Sequence, residues 1–378
     1  MLRTSELEYD LPEELIATLP AERRDAARLL VTGRGAGAAV LHRSVRGLPE
    51  FLRAGDLLVF NTTRVIPARL IGARRDTGGR VEGLYLGDAP PDTGGEPGCV
   101  RWRVLLRAKR LRAGCAVDLE DAREGAVRAA LVLETEGQDG PGSWVARLDE
   151  PRGTATHDVL ERVGRTPLPP YILGARKRAG LIVPESDDRN RYQTVYAGVD
   201  EGASVAAPTA GLHFTPDLLD ELSRMGVLRA DVTLHVGTGT FKPVEAEWVE
   251  EHPMHSEWCR AGAETMERIA EARAAGRRVI AVGTTAARAM ESLAGRSAAE
   301  AAAGVFTRLL VTPGYSWKVV DGLLTNFHLP RSTLMALVAA LLDGGAERLK
   351  KIYVEAVREK YRFYSYGDAM LVVPDRTA

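Results

Sequence analysis

From about residue 62 to residue 165 the chain shows a succession of short β-type segments broken by glycine, proline and charged turns, with no long helical period. RVIPARLIGA, RVEGLYLG, RWRVLLRAK, AVDLEDA, VRAALVLE and SWVARLD follow one another in this stretch. Short strands at this density, separated by turn signals, point to a sheet closed on itself, a small β-barrel. LGDAPPDTGGEPG (86–98) and EGQDGPG (136–142) read as loops. The flanks have a different texture. In DLPEELIATL, Asp10 is placed to cap a helix and Pro12 to fit its first turn. The strand GDLLVF (55–60) then runs into Asn61. Beyond residue 166, strands (228–237, 279–283, 307–312, 369–373) alternate with helical periods (264–276, 286–294, one opening at Pro330, and 346–360). That alternation implies a mostly parallel sheet. The expected fold is therefore α/β: a discontinuous domain of residues 1–61 and 166–378, with a β-barrel domain of residues 62–165 inserted into it.

The charge balance narrows the function. Lys+Arg is 50 and Asp+Glu is 51 in 378 residues, a net charge of −1, so bulk charge cannot coat a nucleic acid. Any such contact must use a local patch. RWRVLLRAKRLR (101–112) offers one, and Arg101, Arg103, Arg107 and Lys109 share one parity and hence one face of a continuous strand. Arg64, Arg69, Arg74 and Arg75, with Arg176, Lys177 and Arg178 just beyond, add to it. The plain counterpart of such a run is a solvated charged strand. The spacing of Cys99, Cys115 and Cys259 fits neither a zinc ribbon nor a CxxC pair, and so sparse a count suits a reducing compartment. The opening MLRTSELEYDLPEEL carries acids and no apolar signal region, and Leu334–Leu342 falls short of the ~20 residues of a membrane span. A cytoplasmic protein is expected, with no membrane partner.

Five of the seven histidines fall between residues 213 and 328, all of them in the four contexts AAPTAGLHFT, TLHVGTGTF, HPMHSEW and LTNFHLPRST. A lone histidine is usually structural, but several beside Gly, Thr and Pro loops point to a site. HPMHSE brings His252, His255 and Glu257 within six residues, a pattern open to metal ligation or to proton transfer without metal. No HExxH motif is present, and no metal is expected. AVGTTAAR places Gly283, Thr284 and Thr285 at a helix start, where free N–H groups attract anions. In LTNFHLPRST, Pro330 fits a first turn, leaving Ser332 and Thr333 to hydrogen-bond outward. The loop GVDEGASVAAPTAGLHFTP (198–216) is sparse in large side chains and lets a planar ligand approach its backbone.

YDLPEELIA (9–17), NTTRVIPARL (61–70), TPLPPYI (166–172), SVAAPTAGLHFT (204–215), VTLHVGTGTFKPV (232–244), HPMHSEW (252–258), AVGTTAARAMES (281–292), PGYSWKVVDGLLTNFHLPRSTL (313–334) and YRFYSYGDAML (361–371) together resemble the S-adenosylmethionine:tRNA ribosyltransferase-isomerase family of queuosine biosynthesis. The strings run almost from end to end, and chance agreement in this order is negligible. Small departures stand at Thr62, Ala203 and Ser316–Trp317, and the 86–98 loop looks inserted.

The resemblance implies an α/β domain with an inserted barrel, and no metal. It implies transfer and isomerisation of the ribosyl part of S-adenosylmethionine onto 7-aminomethyl-7-deazaguanine at the tRNA wobble position, giving epoxyqueuosine-tRNA, adenine and methionine. S-adenosylmethionine is then a consumed donor rather than a resident cofactor. The sulfonium acidifies the C5′ hydrogens, and departing adenine needs a proton donor, so bases and acids are required. His213, His235, Glu257 and His328 form the candidate acid–base pool. Thr209, Thr284, Thr285, Arg288 and Asn326 are candidates for holding the donor, with Thr284, Thr285 and Arg288 at its anionic end. Arg64, Arg69, Arg101, Arg103, Arg107 and Lys109 are candidates for the tRNA face of a monomer. Two rivals come from other classes. A methyltransferase using the same donor would want a glycine-rich first strand–helix turn, which is absent, and a non-catalytic RNA-binding module would not need the clustered histidines.

Overall fold

The computed structural model describes residues 1–90, 99–122, 124–198, 203–237 and 244–374. The tip of the 86–98 loop, part of the 198–216 loop and most of VGTGTFKPV lie outside the described residues. The chain begins with single 3-10 turns rather than a helix. In DLPEELIATL only Glu13–Leu15 turns, and no side chain caps it. The next residues are drawn elsewhere: Phe363 N–H donates to Leu15 O (2.8 Å) and Ala17 N–H to Phe363 O (3.3 Å), so these groups are lost to a helical ladder.

Three strands precede the barrel: β1 (Arg28–Gly33), β2 (Val40–Ser44) and β3 (Leu57–Asn61). The two-residue β4 (Arg64–Val65) follows, and then β5 (Arg69–Arg74), β6 (Arg80–Asp88), β7 (Arg101–Arg107), β8 (Ala116–Glu120), β9 (Val127–Glu136) and β10 (Ser143–Leu148). Three helices come next, α1 (Thr156–Val163), α2 (Pro170–Arg178) and α3 (Glu185–Arg191). The remainder is β11 (Ala203–Ser204), α4 (Pro216–Arg224), β12 (Leu228–Leu234), β13 (Glu257–Ala261), α5 (Ala263–Ala274), β14 (Val279–Val282), α6 (Thr284–Leu293), α7 (Ala298–Ala303), β15 (Val305–Thr307), β16 (Gly322–Asn326), α8 (Thr333–Leu341), α9 (Gly345–Arg358) and β17 (Ala369–Val373).

Strands β5–β10 close into an antiparallel barrel in the order β10-β7-β6-β5-β8-β9. Period-two alternation fills it: Trp102, Val104 and Leu106 of β7 point inward, and Val159, Leu160 and Val163 of α1 join the same core. Gly164, just after α1, lies against the Pro67 carbonyl, where a Cβ would sit 1.9 Å from that oxygen, so only glycine permits this approach.

The other strands except β4 and β11 form one nine-stranded sheet, ordered β15-β13-β12-β3-β14-β16-β17-β1-β2. It is mixed rather than mostly parallel. The pairs β12–β3, β3–β14, β14–β16 and β1–β17 are parallel, while β12–β13, β13–β15, β16–β17 and β1–β2 are antiparallel. The central block β12, β3, β14 and β16 therefore runs one way and ends on one edge. Antiparallel β13 and β17 begin at that same edge, with Leu234 opposite Cys259 and Asn326 opposite Ala369.

Two boundaries differ from expectation. TRLLVT is strand only as far as Thr307, whose Oγ1 accepts the Leu309 N–H (3.1 Å) and bonds Ser292 Oγ (2.7 Å), turning the chain away from the sheet. Helix α8 starts at Thr333, not at Pro330. Ser332 is its cap, with Oγ accepting from Met335 N–H (3.3 Å) and donating to Leu329 O (2.8 Å), so its hydroxyl is used locally. Helix α6 is buried along its whole length except at Ser292, and its alanines allow close approach to the sheet. Its Glu291 carboxylate accepts the backbone N–H groups of Lys318 (2.9 Å), Val319 (2.8 Å) and Val320 (2.9 Å) and the Tyr315 hydroxyl (3.0 Å), pinning the loop before β16. Among the described residues no helix is long and apolar enough to cross a membrane.

Candidate active site

A cleft of about 650 Å³ opens at the edge where the parallel strands end. Crevices at the carboxyl ends of parallel strands are where α/β sheets bind ligands. Thr209, Thr284, Thr285, Asn326 and His328 all line it, brought from well-separated stretches of sequence. Gly283 makes the arrangement possible. Its φ of 93° lies in the left-handed region, so β14 turns at once into α6 and leaves the first N–H groups of that helix at the cleft. Asn61 stitches the edge together from beneath: Nδ2 donates to Leu234 O (3.1 Å) and Thr285 Oγ1 (3.3 Å), while Oδ1 accepts from Leu234 N–H (3.1 Å) and Thr63 N–H (3.2 Å).

Asn326 is 2% exposed. Its Nδ2 donates to Tyr364 O (3.0 Å) and lies 3.3 Å from His213 Nε2, and its Oδ1 has no partner among the described residues. With Nδ2 as donor, His213 Nε2 accepts and carries no proton. Burial lowers the His213 imidazole to about 4, and Arg362 and Arg24 add to that shift. His213 thus stands behind Asn326 rather than in the cleft wall. His328 lines the cleft, with Nε2 2.9 Å from Thr325 Oγ1, and burial lowers it to about 3. Both histidines are neutral at pH 7. His328 can accept a proton from a ligand or offer a neutral N–H, and it does not enter as an imidazolium acid.

The cleft has an aromatic wall that sequence reasoning missed. The Tyr171 and Tyr364 rings lie 4.6 Å apart, and both residues line the cleft with Ser365. Tyr364 has φ of 73°, costly for an aromatic residue, and is held by donating its N–H to Phe327 O (3.1 Å). The only available signal was the density of tyrosine in YRFYSYGD, which reads equally well as core.

A second cleft of about 450 Å³ adjoins the first at Leu334. Glu257, His252 and His255 line it, together with Arg288 one turn along α6 from Thr284. Arg288 Nη1 hydrogen-bonds the Glu257 carboxylate, whose Oε1 accepts from Gly237 N–H (3.2 Å). His235 lines neither cleft, and its ring lies 5.0 Å from that of Trp258. Among the described residues no group of three His, Cys, Asp or Glu is placed to hold a metal ion.

The basic strand is less free than its sequence suggests. Arg101, Arg103 and Arg107 do point out of the barrel, but Arg101 pairs with Glu134 (2.8 Å), Arg103 with Asp139 (3.0 Å) and Arg69 with Glu82 (3.6 Å). Arg74 and Arg75 are also paired, with Asp76 and Asp118. Lys109 does not share the strand face, because β7 ends at Arg107 and Lys109 lies in the turn beyond it. Arg176 is buried in a two-point pair with Asp188 (2.7 and 2.8 Å), and Arg178 pairs with Glu13 (3.2 Å). Arg64, Arg107, Lys109, Arg110 and Arg112 are exposed.

Residues 4–372 match the family described as queuosine biosynthesis protein. The chain belongs to the queuosine biosynthesis protein family. Its relatives include proteins named S-adenosylmethionine:tRNA ribosyltransferase-isomerase from Desulfitobacterium hafniense (44% identical, covering 98% of this chain and 100% of the relative) and Methylocella silvestris (48%, covering 99% and 98%). The crystal structure of an S-adenosylmethionine tRNA ribosyltransferase from Thermotoga maritima is 32% identical, with a TM-score of 0.51 over 97% of this chain and 100% of that one. The barrel-bearing α/β fold of this family member accords with that likeness.

The buried histidines predict an acid-labile fold. Each has a folded pKa below its unfolded value near 6.5, so the unfolded state binds more protons as pH falls, and stability present above 6.5 is lost on the way down to about 4 for His213 and about 3 for His328. Urea denaturation between pH 7.5 and 4.5 should show a loss of order 3 kcal/mol per histidine, before carboxylates contribute. His213→Asn should reduce that dependence, and an unaltered pH profile in the variant contradicts the assignment.

Proposed function

We propose that the chain is an S-adenosylmethionine:tRNA ribosyltransferase-isomerase acting on 7-aminomethyl-7-deazaguanine at the wobble position of a tRNA anticodon. The observation that carries this reading is the convergence of Thr209, Thr284, Thr285, Asn326 and His328 around one aromatic-walled cleft, in a chain whose relatives bear that name over nearly their full length. The donor is consumed: its ribosyl part goes to the aminomethyl nitrogen and is isomerised to an epoxycyclopentanediol, and adenine and methionine leave. The Tyr171–Tyr364 wall suits a planar purine, and the partnerless Asn326 Oδ1 suits the exocyclic amine of adenine as an acceptor. Neutral His328 lines the same cleft and offers the donor an uncharged imidazole that does not repel the sulfonium. His213 then acts through Asn326 as a positioning residue, holding the amide so that Oδ1 faces the ligand.

Residues 62–165 serve as the inserted unit that meets the RNA, through the cations at the far end of β7 rather than along its paired face. The proposed enzyme is a monomer working in the cytoplasm, where tRNA and S-adenosylmethionine occur together.

Incubation with S-adenosylmethionine and tRNA carrying the aminomethyl base should release adenine and methionine, and only with the modified tRNA. S-adenosylhomocysteine instead would mean methyl transfer and overturn the reading. Replacing Arg107, Lys109 and Arg112 together by Gln should weaken tRNA binding and lower the salt slope of log K by roughly 2–3, if each contacts a phosphate. An unchanged slope places the RNA elsewhere.

A further inference from the structure

The second cleft carries features that proton transfer does not require. Arg288 is 5% exposed, and its three nitrogens are unequally used. Nε donates to Leu309 O (3.1 Å), Nη1 bonds the Glu257 carboxylate, and Nη2 is buried with no partner among the described residues. Buried guanidinium N–H groups are almost always satisfied, so an idle pair at a cleft wall calls for an acceptor brought in from outside. Glu257 beside it supplies a negative charge at 6% exposure. Met254, Leu310, Val311, Leu334 and Leu337 contribute apolar surface to the same cleft. A cationic donor, a carboxylate and apolar surface together complement a zwitterionic α-amino acid with an apolar side chain. The two clefts meet at Leu334, and Thr284 and Arg288 stand one helical turn apart, about 6 Å, so one elongated molecule can occupy both.

We propose that this cleft is the amino-acid subsite of the donor: the methionyl carboxylate bonds Arg288 Nη2, the ammonium faces Glu257, and the methylenes leading to the sulfonium lie along Leu310 and Leu334. The subsite rests on the reading of S-adenosylmethionine as the donor, and it reassigns two groups. Glu257 leaves the acid–base pool and becomes a binding residue. Thr284 and Thr285 serve the nucleoside end, leaving Arg288 alone for the carboxylate.

Calorimetric titration of the full-length protein with S-adenosylmethionine and with 5′-methylthioadenosine, which keeps the nucleoside and sulfur but lacks the amino-acid group, separates the possibilities. Arg288→Gln should lose S-adenosylmethionine affinity at least tenfold while binding methylthioadenosine within about twofold of wild type; retained nucleoside binding also reports an intact fold. Leu310→Trp, which narrows the cleft while leaving both Arg288 and Glu257 in the sequence, should show the same split and decides the matter if Arg288→Gln does not fold. Unchanged S-adenosylmethionine affinity in Leu310→Trp, or equal loss of both ligands, overturns the subsite even if the wild-type protein releases adenine from its donor. A wild-type protein that binds neither ligand overturns the donor reading itself, and the subsite with it.

Discussion

The site exists because strands β12, β3, β14 and β16 run in the same direction and stop at the same edge. Each chain leaving that edge must turn, and each turn delivers polar groups to one place: Asn61 after β3, Gly283–Thr285 after β14, and Asn326–His328 around the end of β16. Antiparallel β13 and β17 approach from the other direction, so Glu257 and the Tyr364–Ser365 turn arrive at the same edge. Asn61 holds the register there, because its single amide bonds β12, the chain after β3 and the first turn of α6.

Helix α6 converts this edge into two adjoining clefts. Its first turn faces one and Arg288 faces the other, while Glu291 at the far end fixes the loop leading into β16. The helix is buried almost throughout, so its charged side chains must be paired or hydrogen-bonded, as Glu291 and the Arg288–Glu257 pair are. Removing one partner of such a pair leaves an uncompensated buried charge, worth about 3–5 kcal/mol in general. Rigidity at the cleft floor follows: the groups that meet a ligand also hold the sheet, the helix and the loop together.

Sequence alone revealed the architecture where local patterning is decisive. Parity in RWRVLLR put Arg101, Arg103 and Arg107 on one face, which the barrel turns outward, and AVGTTAAR announced a strand, a turn and a helix. It misjudged what depends on distant partners. Leu15 and Ala17 pair with Phe363 instead of completing a helix, and Ser332 rather than Pro330 sets the start of α8. Among the site residues, Gly, Thr and His beside loop signals were legible because their chemistry is local. The Tyr171–Tyr364 wall was not, because two tyrosines nearly two hundred residues apart carry no mark of facing each other. Nor could charge spacing disclose that Glu134 and Asp139 neutralise Arg101 and Arg103, since those acids come from β9, on the far side of β10 from β7, and from the turn between β9 and β10.

The central claim is that one donor molecule is held at the carboxyl edge of the sheet and not in the barrel. Hydrogen–deuterium exchange with and without S-adenosylmethionine tests it without any mutation. Slowed amide exchange at Gly283–Arg288, Asn326–Leu329 and Tyr364–Ser365, with the barrel strands between Arg69 and Leu148 unaffected, is the predicted result. Protection appearing in the barrel while those three segments exchange as before would contradict it.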